Sequence, residues 1–240
     1  VLHRSLAALD ACRRQRLLFG VATSLCKNNW RAHTRGEFVE AMVRRGALYL
    51  WYYLYRPAGP DPAPELALDE DEILAVRRFL VEARRRFPIL IVDAYWDAEG
   101  RALCPAAEGI SHHIGPGGDL EPCPPIQFAC ENLADGADLN ALFRDSAFLE
   151  RFRQRAAAEG RGCILLSNPS ALREVAQASG ARDTSGRGTA LRELEVMPRR
   201  PHRRRHERAV ELDRERLLDD QLVRATGARA AGDAGHEQPL

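Results

Sequence analysis

The 240-residue chain is long enough for one large domain or two small ones, and its 45% hydrophobic and 29% charged residues are a globular composition. Its 35 basic and 34 acidic residues leave a formal charge of +1, so bulk charge argues for neither a nucleic-acid nor a membrane partner. The longest apolar run, Ala47 to Tyr55, is far short of the ~20 residues that span a bilayer, and Val1-Leu2-His3-Arg4 carries no signal-peptide pattern. A membrane protein, an exported disulfide scaffold and a wholly disordered chain are therefore set aside, and a cytoplasmic location is expected. In that reducing compartment the six cysteines bind a metal, do chemistry or pack.

Leu2, Leu6 and Leu9 recur at helical spacing and predict an opening helix. Leu17 to Thr23 reads as a buried strand ended by Asn28-Asn29. Phe38/Met42 and Val39/Val43 are i, i+4 pairs that predict a helix over Glu37 to Arg45, stopped by Gly46. Ala47 to Tyr55 returns to a strand, aromatic in its second half. Strand, ten-residue helix and strand form a βαβ unit with a right-handed crossover and parallel strands. Pro57, Pro60, Pro62 and Pro64 make an extended loop. Asp69 with Glu72 is a capping box opening a helix that ends at Phe87-Pro88, and Ile89 to Tyr95 is a third strand.

Beyond Gly100 the texture changes. Residues 101–130 hold three cysteines, five prolines and four glycines. Ile110 to Ile114, the turn Gly115-Pro-Gly-Gly and Asp119 to Glu121 read as a β-hairpin. It brings Cys104 and Cys123, with eighteen residues between them, to one end. Converging thiolates on a stiff frame suit an iron or zinc centre. Cys163, after the flexible Arg161-Gly162, can close the site, and Cys130 is a candidate fourth ligand. His112 and His113 alternate faces, so one at most points at such a centre. A helix from Ala147 to Glu159 turns Phe148, Leu149 and Phe152 inward, and a short one follows around Ala171 to Ala178. Residues 199–240 lack aromatics, carry the run Arg203-Arg204-Arg205 and read as a disordered or frayed tail.

These residues resemble a known family. Cys104, then Gly118-Asp-Leu-Glu-Pro-Cys123, then Cys163, is similar to the twitch or SPASM extension of radical SAM enzymes, with its Gly-Asp-x-x-Pro-Cys ending. Leu17 to Asn28, the helix ending at Gly46 and the strand ending at Arg56-Pro57 are similar to the fifth and sixth strands of the radical SAM partial barrel. The resemblance covers roughly residues 1–180. It implies an α/β fold: the C-terminal part of a partial (β/α) barrel over residues 1–100, then a small α+β cysteine-containing domain over residues 101–198. It further implies an auxiliary four-iron four-sulfur cluster on Cys104, Cys123 and Cys163, with Cys130 as the fourth candidate. S-adenosylmethionine would bind only with the half that carries the family's Cys-x3-Cys-x2-Cys loop. This sequence has no such triplet, so the chain is expected to be a C-terminal portion, that half being supplied by a separate chain. Reductive cleavage is not expected of this chain alone.

Ser24 and Asn28 stand where the family's fifth strand approaches the cofactor. Tyr53, Tyr55, Arg56, Asp93 and Tyr95 stand at strand ends, where parallel α/β folds place ligands, and are candidate contacts to a small-molecule or peptide substrate. Two other readings stay open: a structural zinc module using Cys104, Cys123, Cys163 and His112, and a non-functional gene remnant. Cys12 and Cys26 read as packing thiols.

Overall fold

A computed structural model describes residues 2–93, 96, 102–136, 138–160 and 162–200. It is mixed α/β, with a small parallel sheet. Helix α1 (Leu2–Arg14) leads to strand β1 (Val21–Leu25), short helix α2 (Trp30–His33), helix α3 (Gly36–Arg45), strand β2 (Tyr49–Leu54), helix α4 (Glu70–Arg86) and strand β3 (Leu90–Asp93). The three strands lie side by side in the order β1-β2-β3, all parallel, in register Val21↔Leu50 and Leu50↔Ile91. Parallel neighbours need a crossover, and α3 and α4 supply the two.

Local signals explain these elements. Gly46 ends α3 at φ +90°, and its N–H bonds back to the carbonyls of Met42 and Val43. The Asp69 carboxylate accepts from the Glu72 N–H while the Glu72 carboxylate accepts from the Asp69 N–H, so the predicted capping box opens α4. The first strand differs from expectation. It starts at Val21, not Leu17, and Leu17 and Leu18 are 58% and 88% exposed. After α1 the chain turns through Arg16, which has φ +55°, and the apolar pair is spent on that turn rather than on pairing. Strand register is set by which residues meet the helices, not by apolar content alone.

One face of the sheet is packed. Leu25, Leu50, Tyr52 and Ile91 join Val39 and Met42 of α3 and Val76 and Leu80 of α4 in one core. By alternation, Ser24, Trp51, Tyr53 and Val92 turn to the opposite face. There Trp51 and Tyr53 stack with ring centroids 5.2 Å apart.

The second half has strands β4 (His113–Ile114), β5 (Leu120–Glu121) and β6 (Phe128–Ala129). Helices α5 (Leu139–Asp145), α6 (Ala147–Ala158), α7 (Ile164–Ser167) and α8 (Pro169–Ala178) follow, then β7 (Arg182–Asp183) and α9 (Ala190–Val196). The predicted hairpin is present as β4 antiparallel to β5, and β6 pairs with β7, far along the chain. Phe148, Leu149 and Phe152 of α6 lie fully buried with Leu120, Phe128, Ile164 and Leu172 in a separate core. Residues 201–240, including the predicted tail's arginine run, lie outside the described residues. Arg199 and Arg200, placed in that tail from sequence, are instead held. Arg199 Nε donates to the Ser167 carbonyl at 3.1 Å and the Arg200 N–H to the Leu166 carbonyl at 2.7 Å.

Candidate functional site

Three separate segments deliver thiols to one place. Cys104 opens a helical turn in which the Glu108 N–H donates to its carbonyl at 3.0 Å. Cys123 precedes Pro124-Pro125, and the chain reverses there, the Ile126 N–H donating to the Cys123 carbonyl at 2.9 Å. Cys163 stands at the start of α7, where its carbonyl accepts from Leu166 and Ser167. Between the first two lies the hairpin, whose turn needs Gly118: φ there is +84°, and a Cβ would meet Asn132 Oδ1 at 2.9 Å. The pairing His113↔Glu121 then brings the two outward-running arms together.

The three thiols lie within electrostatic reach of one another. Burial, then the neighbouring Cys163, pushes the Cys104 thiol up. Burial pushes Cys123 up strongly, and Cys163 and Cys104 add to it. Arg56, just past β2, pulls both back toward the thiolate. The structure thus brings Cys104, Cys123 and Cys163 together with Arg56.

Among the described residues, no three His, Cys, Asp or Glu side chains are grouped to hold a metal ion. A single zinc with Zn–S bonds of about 2.3 Å needs its sulfurs within roughly 4 Å of each other. A four-iron cluster spreads its thiolates over separate iron corners and asks for a wider set. The three thiols and the nearby Arg56 guanidinium stand without a metal-holding group among the described residues.

His112 does not join the thiols. Its ring stacks on Phe143 at 5.8 Å, Nδ1 lies 3.4 Å from the Pro122 carbonyl and Nε2 3.4 Å from Arg153. Burial and then Arg153 lower its pKa, against the Pro122 carbonyl, which favours the neutral ring. His113 pairs with Glu121 at 2.7 Å. Cys130 is placed elsewhere too: its thiol donates to the Ser179 carbonyl at 3.3 Å, and its charged neighbours are Glu131, Arg182 and Arg151. Its side chain is spent on tying β6 to the end of α8, which removes the reason to count it with the other three. Cys12 lies on α1, and Cys26 follows β1, where its N–H donates to Asn29 Oδ1 at 2.8 Å.

A cavity of about 410 Å³ adjoins the thiols. Its walls include Leu54, Tyr55 and Arg56 from the end of β2, Leu68, Asp69, Glu70 and Ile73 around the start of α4, Trp96, and Cys104 and Cys163. Of the predicted substrate residues, Tyr55 and Arg56 line it. Tyr53 does not; it stacks on Trp51, and its backbone neighbour across the sheet is Ser24. Ser24 is thus on the open sheet face and Asn28 on an exposed turn, both away from the described cavity wall. Asp93 is a correction. Its side chain is 1% exposed and bridges Arg77 at 3.1 Å and Arg84 at 3.4 Å. It is the anchor of α4 on β3, because alternation turns it to the helix side rather than toward a ligand. Tyr95 lies outside the described residues.

Sequence reading missed Lys27 and Arg200 as cavity residues. Lys27 had a signal, being the only lysine of the chain and sitting just past a strand. Arg200 had none, because its place depends on α7 meeting the Pro64 loop. Comparison with protein-family models and with curated proteins finds no match to this chain.

Proposed function

We propose that this chain is an iron–sulfur-binding portion of a radical SAM protein, with Cys104, Cys123 and Cys163 ligating an auxiliary four-iron four-sulfur cluster. What supports this reading is that those three thiols, from three segments, lie within electrostatic reach of one another and of Arg56, with Cys104, Cys163 and Arg56 lining one cavity at the strand ends. Two consecutive βαβ units with strands in sequential order support it, since repeated units of that kind build a partial barrel. The sheet face turned away from α3 and α4, carrying Ser24, Trp51 and Tyr53, would then be the barrel interior.

When bound, such a cluster supplies an electron store or a Lewis-acidic iron next to the substrate. The chain's own residues do the rest. The Cys104 and Cys123 thiols must lose their protons, which burial opposes and Arg56 favours. The apolar walls around Leu54 and Ile73 exclude water, and the fold fixes where a substrate sits. The S-adenosylmethionine chemistry itself needs the three-cysteine half, on the same longer chain or a separate one. Reduced thiols of this kind fit a cytoplasmic location.

Anaerobic reconstitution with ferrous iron and sulfide tests the reading. The chain should gain a broad absorbance near about 400 nm, with iron and acid-labile sulfide in equal amounts. Cys104→Ala with Cys123→Ala should abolish it, and Cys130→Ala should not. A colourless product, or iron and sulfide uptake that the double variant retains, would sink the proposal.

A further inference from the structure

The end of the sheet opposite the cavity exposes apolar side chains. Leu17, Leu18, Leu48 and Leu90 are each more than half exposed, and they stand where the three strands begin. They belong to adjoining segments: the Leu48 N–H donates to the Phe19 carbonyl at 2.9 Å, and the Leu90 N–H to the Leu48 carbonyl at 3.1 Å. The Tyr49 ring lies over Gly20, leaving no room for a Cβ there, and Tyr49 pairs across the sheet with Leu90. A single exposed leucine needs no explanation, but four at neighbouring strand starts form a patch.

Cations rim this patch. The Arg13 guanidinium donates to the Arg44 carbonyl at 2.7 Å, which sets the C-terminal ends of α1 and α3 side by side. Arg13, Arg14, Arg16, Arg44 and Arg45 therefore gather beside the leucine turn and the start of β2. Two carboxylates answer them: Asp10 lies 3.6 Å from Arg45 and Glu40 lies 3.6 Å from Arg44. The whole chain carries only +1, so this corner is a local concentration of positive charge. Arginines in the last turns of α1 and α3 complement the helix dipoles, but that accounts for neither Arg16 nor the leucines. Arg16 is a second, independent pointer. The Leu17 N–H bonds back to the Cys12 carbonyl at 3.0 Å, closing a left-handed helix cap, and Arg16 fills the cap position that favours glycine. Among the described residues it is the one non-glycine at positive φ. Glycine would make this turn with less strain. What arginine adds is a guanidinium directly before two exposed leucines.

We infer that this end of the molecule docks on an anionic lipid surface. Leu17 and Leu18 enter the boundary between headgroups and acyl chains, and Arg13, Arg14 and Arg16 lie among the lipid phosphates. The leucines project from a turn rather than line a cleft, and the cavities of about 410 and 390 Å³ have other walls. A fluid bilayer admits such a projection without a preformed groove, and long arginine side chains reach its phosphates while their stems lie along the apolar patch. This docking stands without the cluster reading. Arg56, Cys104 and Cys163 line a cavity at the other ends of the strands, which leaves that cavity on the aqueous side.

Cosedimentation of the iron-free full chain with vesicles tests this, using phosphatidylcholine alone and phosphatidylcholine with about one-third phosphatidylserine. The chain should bind the anionic vesicles, leave them as salt is raised, and ignore the neutral ones. Leu18→Ser should weaken binding about tenfold, from the apolar area no longer buried. Arg14→Gln should weaken it about fivefold, the worth of one basic residue near the surface, and Glu40→Gln should strengthen it by a similar factor. That gain, confined to anionic vesicles, is one that a misfolded variant cannot produce. Leu139→Ser, on exposed α5 of the other half, should change nothing. Equal binding to both vesicle types, or binding indifferent to Leu18→Ser and Arg14→Gln, overturns the proposal. So does absence from anionic vesicles, whether the patch then takes an acidic peptide or a second copy of the chain. Because the chain is iron-free throughout, failed reconstitution and failed vesicle binding are separate results.

Discussion

The two halves of the molecule are held together in different ways. In the sheet half each strand pairs with the next along the sequence, and the crossover helices α3 and α4 pack on the strands they connect. In the cysteine half, beyond the β4–β5 hairpin, the pairings skip. β6 reaches across four helices to β7, Arg182 bonds both Asp119 and the Cys130 carbonyl, and Thr184 bonds Glu121. The first arrangement repeats a unit; the second is a set of long-range clasps around one aromatic helix. A site of three thiols from distant segments is what the second arrangement is suited to make. Its stiffness rests on the clasps rather than on strand length.

The comparison can be broken by unpacking each core separately. Phe152 and Leu50 are both 0% exposed, in different cores. Phe152→Ala should cost about 3–5 kcal/mol and Leu50→Ala about 2–5 kcal/mol. Amide exchange should show the first loosening residues 104–200 with 21–93 protected, and the second the reverse. If either variant loosens both halves equally, the molecule is one cooperative unit and the contrast fails.

The same contrast governs what could be read from the amino acids. Helices α1, α3 and α4 and the capping box at Asp69 were legible because their signals lie within a few residues, in periodicity and caps. The hairpin was legible from its glycine turn, and with it the approach of Cys104 and Cys123. The start of β1 was misplaced by four residues because Leu17 and Leu18 are apolar yet lie outside the sheet. Asp93 was misassigned because a strand-end carboxylate looks the same in sequence whether it faces a ligand or two arginines on the next helix. Cys130 failed for a related reason: its partner, the Ser179 carbonyl, is a backbone atom with no sequence signature.

Buried carboxylates sharpen the comparison further, since each half has one in a different setting. Asp93 faces two guanidiniums, and Asp93→Ala should destabilise by about 3–5 kcal/mol because Arg77 and Arg84 lose their counter-charge. Glu121, 2% exposed, accepts from the Thr184 hydroxyl and pairs with His113. Glu121→Ala removes the shared partner of two groups and should cost about 1–3 kcal/mol. Denaturant melts give both numbers. An Asp93 variant milder than the Glu121 variant would mean that the cysteine half depends on its charge network more than the sheet half does.

The smallest effect is a pH dependence confined to the clasp at Asp119. Hydrogen bonds from Arg182 and then Asn132 hold its carboxyl below the usual range, outweighing the cost of burial. A depressed folded value means that the folded state binds fewer protons there than the unfolded one. The stabilisation is complete above the ordinary carboxylate value of about 4 and is lost as the pH falls through the depressed one. The Arg182 side chain is 44% exposed, so the bridge is worth about 1 kcal/mol or less. Wild type should therefore melt slightly above Asp119→Asn at neutral pH, and the gap should close only on acidification below the ordinary carboxylate value. Added salt should narrow the gap at neutral pH, because the pair is partly solvated. A gap that stays constant down to strongly acidic pH would show that Asp119 holds β5 to β7 through geometry alone, with the guanidinium charge of Arg182 contributing nothing.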